Sequence, residues 1–300
     1  MPAKELVIVS GKGGTGKTSL VAAFASLAPS TVLADCDVDA ADLHLVLAPA
    51  IRQRHEFRAG HKAVIAPATC IRCGFCLSRC RFDAIRWKNS GNTVEYAVDP
   101  LACEGCGVCV DTCPADAITF PSQLAGEWFE SDTAHGPLVH ARLGIAAENS
   151  GKLVSEVRRR AREIAHERHL EWILVDGPPG TGCPVISSIA GAALALIVTE
   201  PTLSGQHDLE RVVELARHFN VPAAVCVNKW DLNPALCAAI EASATTLGAR
   251  PIGRLRYDRA VTAAQVAGKS VLDGASGEIA GDIASLWKAL TVLMNSNGKL

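Results

Sequence analysis

Eight of the chain's twelve cysteines fall into two runs of identical spacing, and no other feature restricts the fold so tightly. Cys70, Cys73, Cys76 and Cys80 spell C-x2-C-x2-C-x3-C, and Cys103, Cys106, Cys109 and Cys113 repeat that pattern 33 residues later. The echo continues in Asp83-Ala84-Ile85 and Asp116-Ala117-Ile118, as a duplicated half-module would leave it. In a reducing compartment such cysteines read as metal ligands before disulfides. Two structural zinc sites would use pairs of C-x2-C. Zinc leaves the third cysteine of each run, and the fourth after three residues, without a purpose. Soft thiolates in this number suit iron–sulfur chemistry.

The double run, with Pro114 after its second member, resembles the bacterial ferredoxin arrangement for two [4Fe–4S] cubanes. That resemblance implies that Cys70, Cys73, Cys76 and Cys113 hold one cluster and that Cys103, Cys106, Cys109 and Cys80 hold the other. Arg81 stands where the pattern usually has a proline, which removes no ligand. Residues 58–88 carry seven Lys or Arg and one Asp, whereas 89–120 carry five acidic residues and no Lys or Arg, so the segment is polarised. Solvation of exposed faces accounts for this, and orientation of an electron-transfer partner is the second reading.

Outside this segment the hydrophobic period changes. Strand-like runs at Leu6–Val9, Thr31–Ala34, Ile173–Val175, Leu194–Thr199 and Ala223–Val227 alternate with helical spacing at Lys17–Leu27, Leu153–Arg168, Asp208–Phe219 and Pro234–Leu247. Such alternation implies a mostly parallel sheet flanked by helices. The loop Gly11-Lys12-Gly13-Gly14-Thr15-Gly16-Lys17-Thr18, between the first strand and first helix, fits G-x4-G-K-[ST]. The expected fold is therefore an α/β P-loop NTPase, residues 1–57 and 121–300, with a small α+β ferredoxin-like domain inserted at 58–120. Backbone N–H groups of the glycine-rich loop and the helix N-terminus would cradle phosphates, Lys17 would reach the β and γ phosphates, and Thr18 would ligate Mg²⁺.

Lys12, one residue after the first glycine, gives the loop a resemblance to the deviant phosphate loop of the MinD/ParA/Mrp ATPases, which include the nitrogenase iron protein. The resemblance extends to Asp176-Gly177-Pro178-Pro179-Gly180, Cys183-Pro184, Asn228-Lys229 and the stretch Glu148-Asn149-Ser150-Gly151-Lys152. It implies ATP hydrolysis coupled to dimerisation, with Lys12 reaching the partner's nucleotide across a homodimer or a heterodimer with a paralogue. It further implies a first switch at Asp35-Cys36-Asp37, where Asp37 orients the attacking water and Asp35 is the close alternative, and a Walker-B position at Asp176 near Mg²⁺. Asn228 is the implied base contact. Asn228, Lys229 and Asp231 also spell the Asn-Lys-x-Asp guanine pattern, so ATP is expected and GTP is the alternative. Cys183 lies at a spacing like that of the nitrogenase iron protein's cluster ligand, but a packed thiol is the stronger reading.

A net charge of -2 and a pI near 6.5 give no global basic surface of the kind non-specific nucleic-acid binding requires. No leader pattern or bilayer-spanning apolar run is read, so the protein is expected in the cytoplasm and off the membrane. The C-terminal stripe Ile283, Leu286, Trp287, Leu290, Leu293 and Met294 is expected to pack on the sheet rather than on lipid. The basic run Arg158-Arg159-Arg160 with Arg162 is expected on a solvated helix face. Three functions follow from the sequence: an ATP-gated electron carrier meeting a redox partner, an iron–sulfur assembly or carrier ATPase, and a positioning ATPase with structural clusters.

Overall fold

The computed structural model describes residues 3–90, 93–144, 150–273 and 277–296, and Glu148 and Asn149 lie outside them. Strand β1 (Lys4–Ser10) is buried from Glu5 onward, as expected of a central parallel strand covered on both faces. It feeds α1 (Lys17–Leu27), β2 (Thr31–Asp35), α2 (Leu43–Leu47) and β3 (Ala50–His61). Then come β4 (Val64–Ile65), α3 (Phe75–Arg79), β5 (Ile85–Ser90), β6 (Thr93–Val98), α4 (Val108–Asp111) and β7 (Ile118–Thr119). The chain continues through β8 (Ser122–Thr133), β9 (Gly136–Leu143), α5 (Ser150–Glu167), β10 (Trp172–Pro179), α6 (Cys183–Ile189) and β11 (Leu194–Thr199). It closes with α7 (Leu203–His218), β12 (Ala223–Asn228), α8 (Pro234–Thr246), β13 (Arg250–Leu255), α9 (Arg259–Val266) and α10 (Glu278–Ser296).

Nine strands form one sheet in the order β13-β12-β11-β1-β10-β2-β9-β8-β3. Every pair from β13 to β9 is parallel. The five strands read from sequence are the apolar interior of that sheet. The four not read there lie at its edges. β3 exposes nearly its whole length and carries Arg52, Arg54 and Arg58, so it has no apolar signature, and charge of this kind protects an edge from pairing with another chain.

Two compact units divide the chain. The first comprises Met1–His55, Glu127–Leu143 and Ser150–Leu300, and the second is built from Glu56–Gly126 with Gly144. In the first unit Leu6 and Ile8 pack in one cluster with Phe24 of α1 and with α10, while Val7 and Val9 alternate to the opposite face. The C-terminal stripe is in this core: Ile283, Leu286, Trp287, Leu290, Leu293 and Met294 are all buried, and Trp287 meets Phe24 and Trp172 at ring separations of 5.1 and 5.0 Å. No helix among the described residues is long and apolar enough to cross a membrane.

The basic run on α5 is a solvated face only in part. Arg159 pairs at the surface with Glu156 and Glu163 on its own helix. Arg158, by contrast, is 4% exposed and donates from Nε to Glu5 on β1 at 2.8 Å and from Nη1 to the carbonyls of Ser187 and Ala190. Its Nη2 lies 2.8 Å from the same Glu5 oxygen but off the bonding direction. Glu5, itself buried, also takes Arg162 at 2.6 Å. The correction has a plain cause: an acidic residue on the central strand must be paired when buried, and α5 supplies the partners.

In the second unit β4 pairs antiparallel with β7, and β5 with β6. The sequence repeat survives as conformation. Gly74 and Gly107, which precede α3 and α4, have φ of 77° and 78°, and Asp83 and Asp116 have φ of 50° and 47°. Ala84 and Ala117 are both 2% exposed, and Ile85 and Ile118 sit in the unit's small core against six of the eight cysteines.

Removing Arg158 leaves the buried Glu5 with Arg162 as its one remaining cation and strips the carbonyls of Ser187 and Ala190 of that donor. Arg158→Ala is expected to lower unfolding stability by about 3–5 kcal/mol, whereas Arg159→Ala should leave the urea midpoint unchanged. Equal midpoints for the two variants would show that the buried pair is not a stabilising element.

Candidate functional site

The phosphate loop leaves β1 and ends at Lys17, the first residue of α1. Gly14 and Gly16 adopt φ of 79° and 91°. A Cβ at Gly16 would lie 2.6 Å from Asn228 Nδ2, so the close approach of loop and β12 also demands glycine there. The loop borders an open cleft of about 720 Å³ lined by Gly13, Gly14, Gly16, Lys17 and Thr18, by Asp37, Asp39 and Asp42 after β2, and by Asn228 and Lys229 at the end of β12.

Asp35 and Asp176 stand side by side in register at the adjoining ends of β2 and β10, 0% and 1% exposed. Asp35 accepts from the N–H groups of Asp37 and Leu43, both at 3.2 Å. Neither oxygen of Asp176 has a hydrogen-bond partner. Burial pushes the Asp176 carboxyl up to about 7, against the opposing pull of the Thr18 hydroxyl, which lies near but outside bonding geometry, and of the Lys17 ammonium. Asp35 is likewise raised by burial and then by the Asp176 charge, and burial raises Asp37 to about 6 while Lys17 lowers it. Three carboxyls held against ionisation beside Lys17 and Thr18 fit a dication, which would restore their charge. Among the described residues no three such groups converge on a single ion, so Mg²⁺ here would also draw on Thr18, phosphate oxygens and water.

Other sequence-read residues take unforeseen positions. Lys12 turns onto its own chain, with Nζ 3.3 Å from Thr202 Oγ1, 3.4 Å from Ser204 Oγ and 3.8 Å from Glu200. Glu200 also pairs with Lys229 at 2.6 Å. Asn228 has both ends of its amide engaged: Nδ2 donates to Thr15 O at 2.8 Å, and Oδ1 accepts from Lys229 N–H at 2.9 Å. It braces the phosphate loop. Thr15 is buried with its hydroxyl unpartnered, and a side chain at Gly11 would strike Asp208. Asp231 accepts from Tyr257 N–H at 2.7 Å and borders a neighbouring hollow, not the cleft. Gly180 N–H donates to Ser10 O at 2.9 Å, which ties the Gly177–Gly182 loop to β1, and Pro178 and Pro179 line the cleft. Cys183, first in α6, is exposed. Glu200 and the cleft-lining segment Arg256-Tyr257-Asp258 with Gln265 were not read from sequence. The strand-end position of Glu200 was the available signal.

The cysteines make two cavities in the second unit. One is bordered by Cys70, Cys73, Cys76 and Cys113. The other is bordered by Cys80, Cys103, Cys106 and Cys109. Each run sends its fourth cysteine to the other's cavity. Burial raises the Cys76 thiol, and the Cys70 and Cys73 thiolates raise it further; Cys109 repeats this with Cys103 and Cys106. Four thiols around a void, with no three converging on one ion, fit a cluster and not a zinc ion. Cys73 and Cys106 are the exposed corners of the two sets.

A family model described as a 4Fe-4S dicluster domain matches residues 63–120. Over 233 residues the chain is 34% identical to protein MJ0578 of Methanocaldococcus jannaschii, covering 76% of this chain and 79% of that one. The chain belongs to the MJ0578 family. A second protein of that organism, MJ0579, is 26% identical over 115 residues, 38% of this chain and 41% of its own. Among solved structures, the cell division ATPase MinD of Pyrococcus furiosus matches with a TM-score of 0.56 at 17% identity, over 98% of this chain and all of the other. MinD of Pyrococcus horikoshii in complex with Mg-ADP matches at 0.57 and 16%, over 99% and 100%. This MJ0578-family chain thus has the MinD/ParA P-loop NTPase fold with an iron–sulfur dicluster domain set within its sequence.

Protein purified without oxygen is expected to contain about eight irons and eight acid-labile sulfides, the content of two cubanes. Cys73→Ser and Cys106→Ser should each lower the iron content by about half and perturb different EPR signals. Zinc without sulfide would overturn the assignment.

Proposed function

We propose that this protein is an ATP-hydrolysing switch whose nucleotide state governs electron transfer through two [4Fe–4S] clusters. The observation that carries the reading is the presence in one chain of an unpartnered buried Asp176 beside Lys17 and Thr18 and of two four-thiol cavities. Lys17 would hold the β and γ phosphates, Thr18 would ligate Mg²⁺ with Asp35 and Asp176 behind it, and Asp37 would orient the attacking water. Mg²⁺ supplies neutralisation of the charge that gathers on the phosphates. Asp231 borders a neighbouring hollow and not the cleft, away from where guanine recognition would need it, which supports ATP.

In the state described here Lys12 is tied to Glu200, Thr202 and Ser204 of its own chain. To stabilise charge on a partner's nucleotide it must leave them, so the reading makes this the undimerised form. The second subunit is another copy or a paralogue. Complete ligand sets favour resident clusters over delivered ones, and hence a redox protein partner, encountered in the cytoplasm.

Two measurements test the switch. Lys17→Ala is expected to abolish nucleotide binding, whereas Lys12→Ala should retain binding and lose dimerisation and turnover; equal loss of binding would remove the role of Lys12 across a dimer. Coupling requires nucleotide to prefer one cluster oxidation state. A ten-fold preference shifts a one-electron potential by about 59 mV. Coincident potentials and partner affinities with ATP, ADP and no nucleotide would leave the clusters as structural staples of a positioning ATPase.

A further inference from the structure

The two cavities are related by the repeat, yet their solvent-facing rims differ. At the first, Ile71 and Phe75 line the cavity while remaining 64% and 54% exposed, on either side of the exposed Cys73. Large apolar side chains open to water beside a cluster ligand mark a contact surface. At the second, the positions 33 residues on hold Glu104 and Val108; its apolar lining is less open, with Val108 40% and Phe82 37% exposed, and the opposite charges of Arg79 and Glu104 share it.

Arg72, between Ile71 and Cys73, deepens the contrast. Its φ is 60°, and the repeat fills the same position with Gly105 at φ 63°. An L-residue adopts that conformation at a cost, so the chain keeps an arginine where its own duplicate has glycine. Among the described residues Arg58 and Arg86 pair with Glu56 and Asp99, whereas Arg72, like Arg79 and Arg81, pairs with none; unlike Arg79, Arg72 has no acidic residue at its own rim. A free cation, two exposed apolar side chains and the exposed corner of a cluster's ligand set therefore sit on one rim. Its complement is an acidic surface with an apolar centre.

We propose that the Cys73 rim is the electron port of this protein, docking an acidic electron-carrier protein through Arg72, Ile71 and Phe75. The proposal rests on the electron-transfer reading above. One electron leaves the carrier's reduced cofactor, which is oxidised, and enters the cluster held by Cys70, Cys73, Cys76 and Cys113, which is reduced; no bond forms or breaks. Docking at this corner shortens the tunnelling path, since Cys73 is the thiol of this set that reaches solvent most openly.

The test is stopped-flow reduction of the full, cluster-loaded protein by a reduced acidic ferredoxin, with photoreduced deazaflavin as a small donor that needs no docking. The ferredoxin rate constant is expected to fall as salt is raised. Arg72→Glu should lower it by about ten-fold or more and Arg72→Gln by less. Ile71→Ser with Phe75→Ser should lower it at all salt concentrations. Glu104→Gln and Asp116→Asn should leave it within about two-fold. Iron content and the deazaflavin-reduced EPR signal should be unchanged in every variant, which separates lost docking from lost clusters. An unchanged or raised ferredoxin rate in Arg72→Glu, or a loss carried by Glu104→Gln instead, would overturn the port. Failure of deazaflavin to reduce the wild-type clusters would sink the electron-transfer reading itself, and the port with it.

Discussion

Two aspartates at the ends of adjacent parallel strands are removed from water, and one of them bonds to nothing. Isolated ionised carboxylates are among the costliest groups to bury, and here Asp35 and Asp176 resist ionisation together. The surrounding fold is organised about that pair. β2 and β10 bring them into register, Leu43 at the start of α2 donates to Asp35, and α1 sets Lys17 and Thr18 beside Asp176. A site so arranged favours the entry of positive charge, and in the function proposed above Mg²⁺ with nucleotide would provide it.

The parts of this arrangement legible in the sequence were those where local chemistry dictates local structure. A glycine-rich loop after an apolar run can do little but turn into a helix, and the motif residues Lys17 and Thr18 fall where that geometry puts them. Strands buried on both faces announce themselves as unbroken apolar runs, which is why the central sheet was readable. The cysteine spacing was legible for the same reason, since one short loop can wrap only one cavity. The fourth ligand of each set was implied by resemblance, and the cavities place Cys113 and Cys80 accordingly.

What escaped the sequence depends on partners far away along the chain. Arg158 looks like one member of a solvated basic run until β1 presents Glu5 to it. Asn228, expected as a base contact, lines the cleft and also braces Thr15, a role that no motif announces. Glu200 carries no motif, yet it gathers Lys12 and Lys229. The edge strands failed for a different reason: β3 is charged, as suits an edge that must not pair with another strand, and the same charge erases its periodicity.

The exchange of fourth cysteines has a consequence in chain entropy. Pairings in the second unit are strictly nested: Ile85 with Val98 in the β5–β6 hairpin, then Cys80 with Cys103, then Cys76 with Cys113, then Ile65 with Ile118. Closing a loop costs more as its free length grows. Once the hairpin has formed, the 22 residues between Cys80 and Cys103 are largely spanned already, and once those thiols are joined the 36 between Cys76 and Cys113 shrink to a short stretch on each side. The module can therefore close from the inside outward, each step shortening the next, and the inner cavity is the less costly one to complete first. A chain holding only one of the two runs could finish neither cavity, which makes the duplicated half-module an indivisible whole.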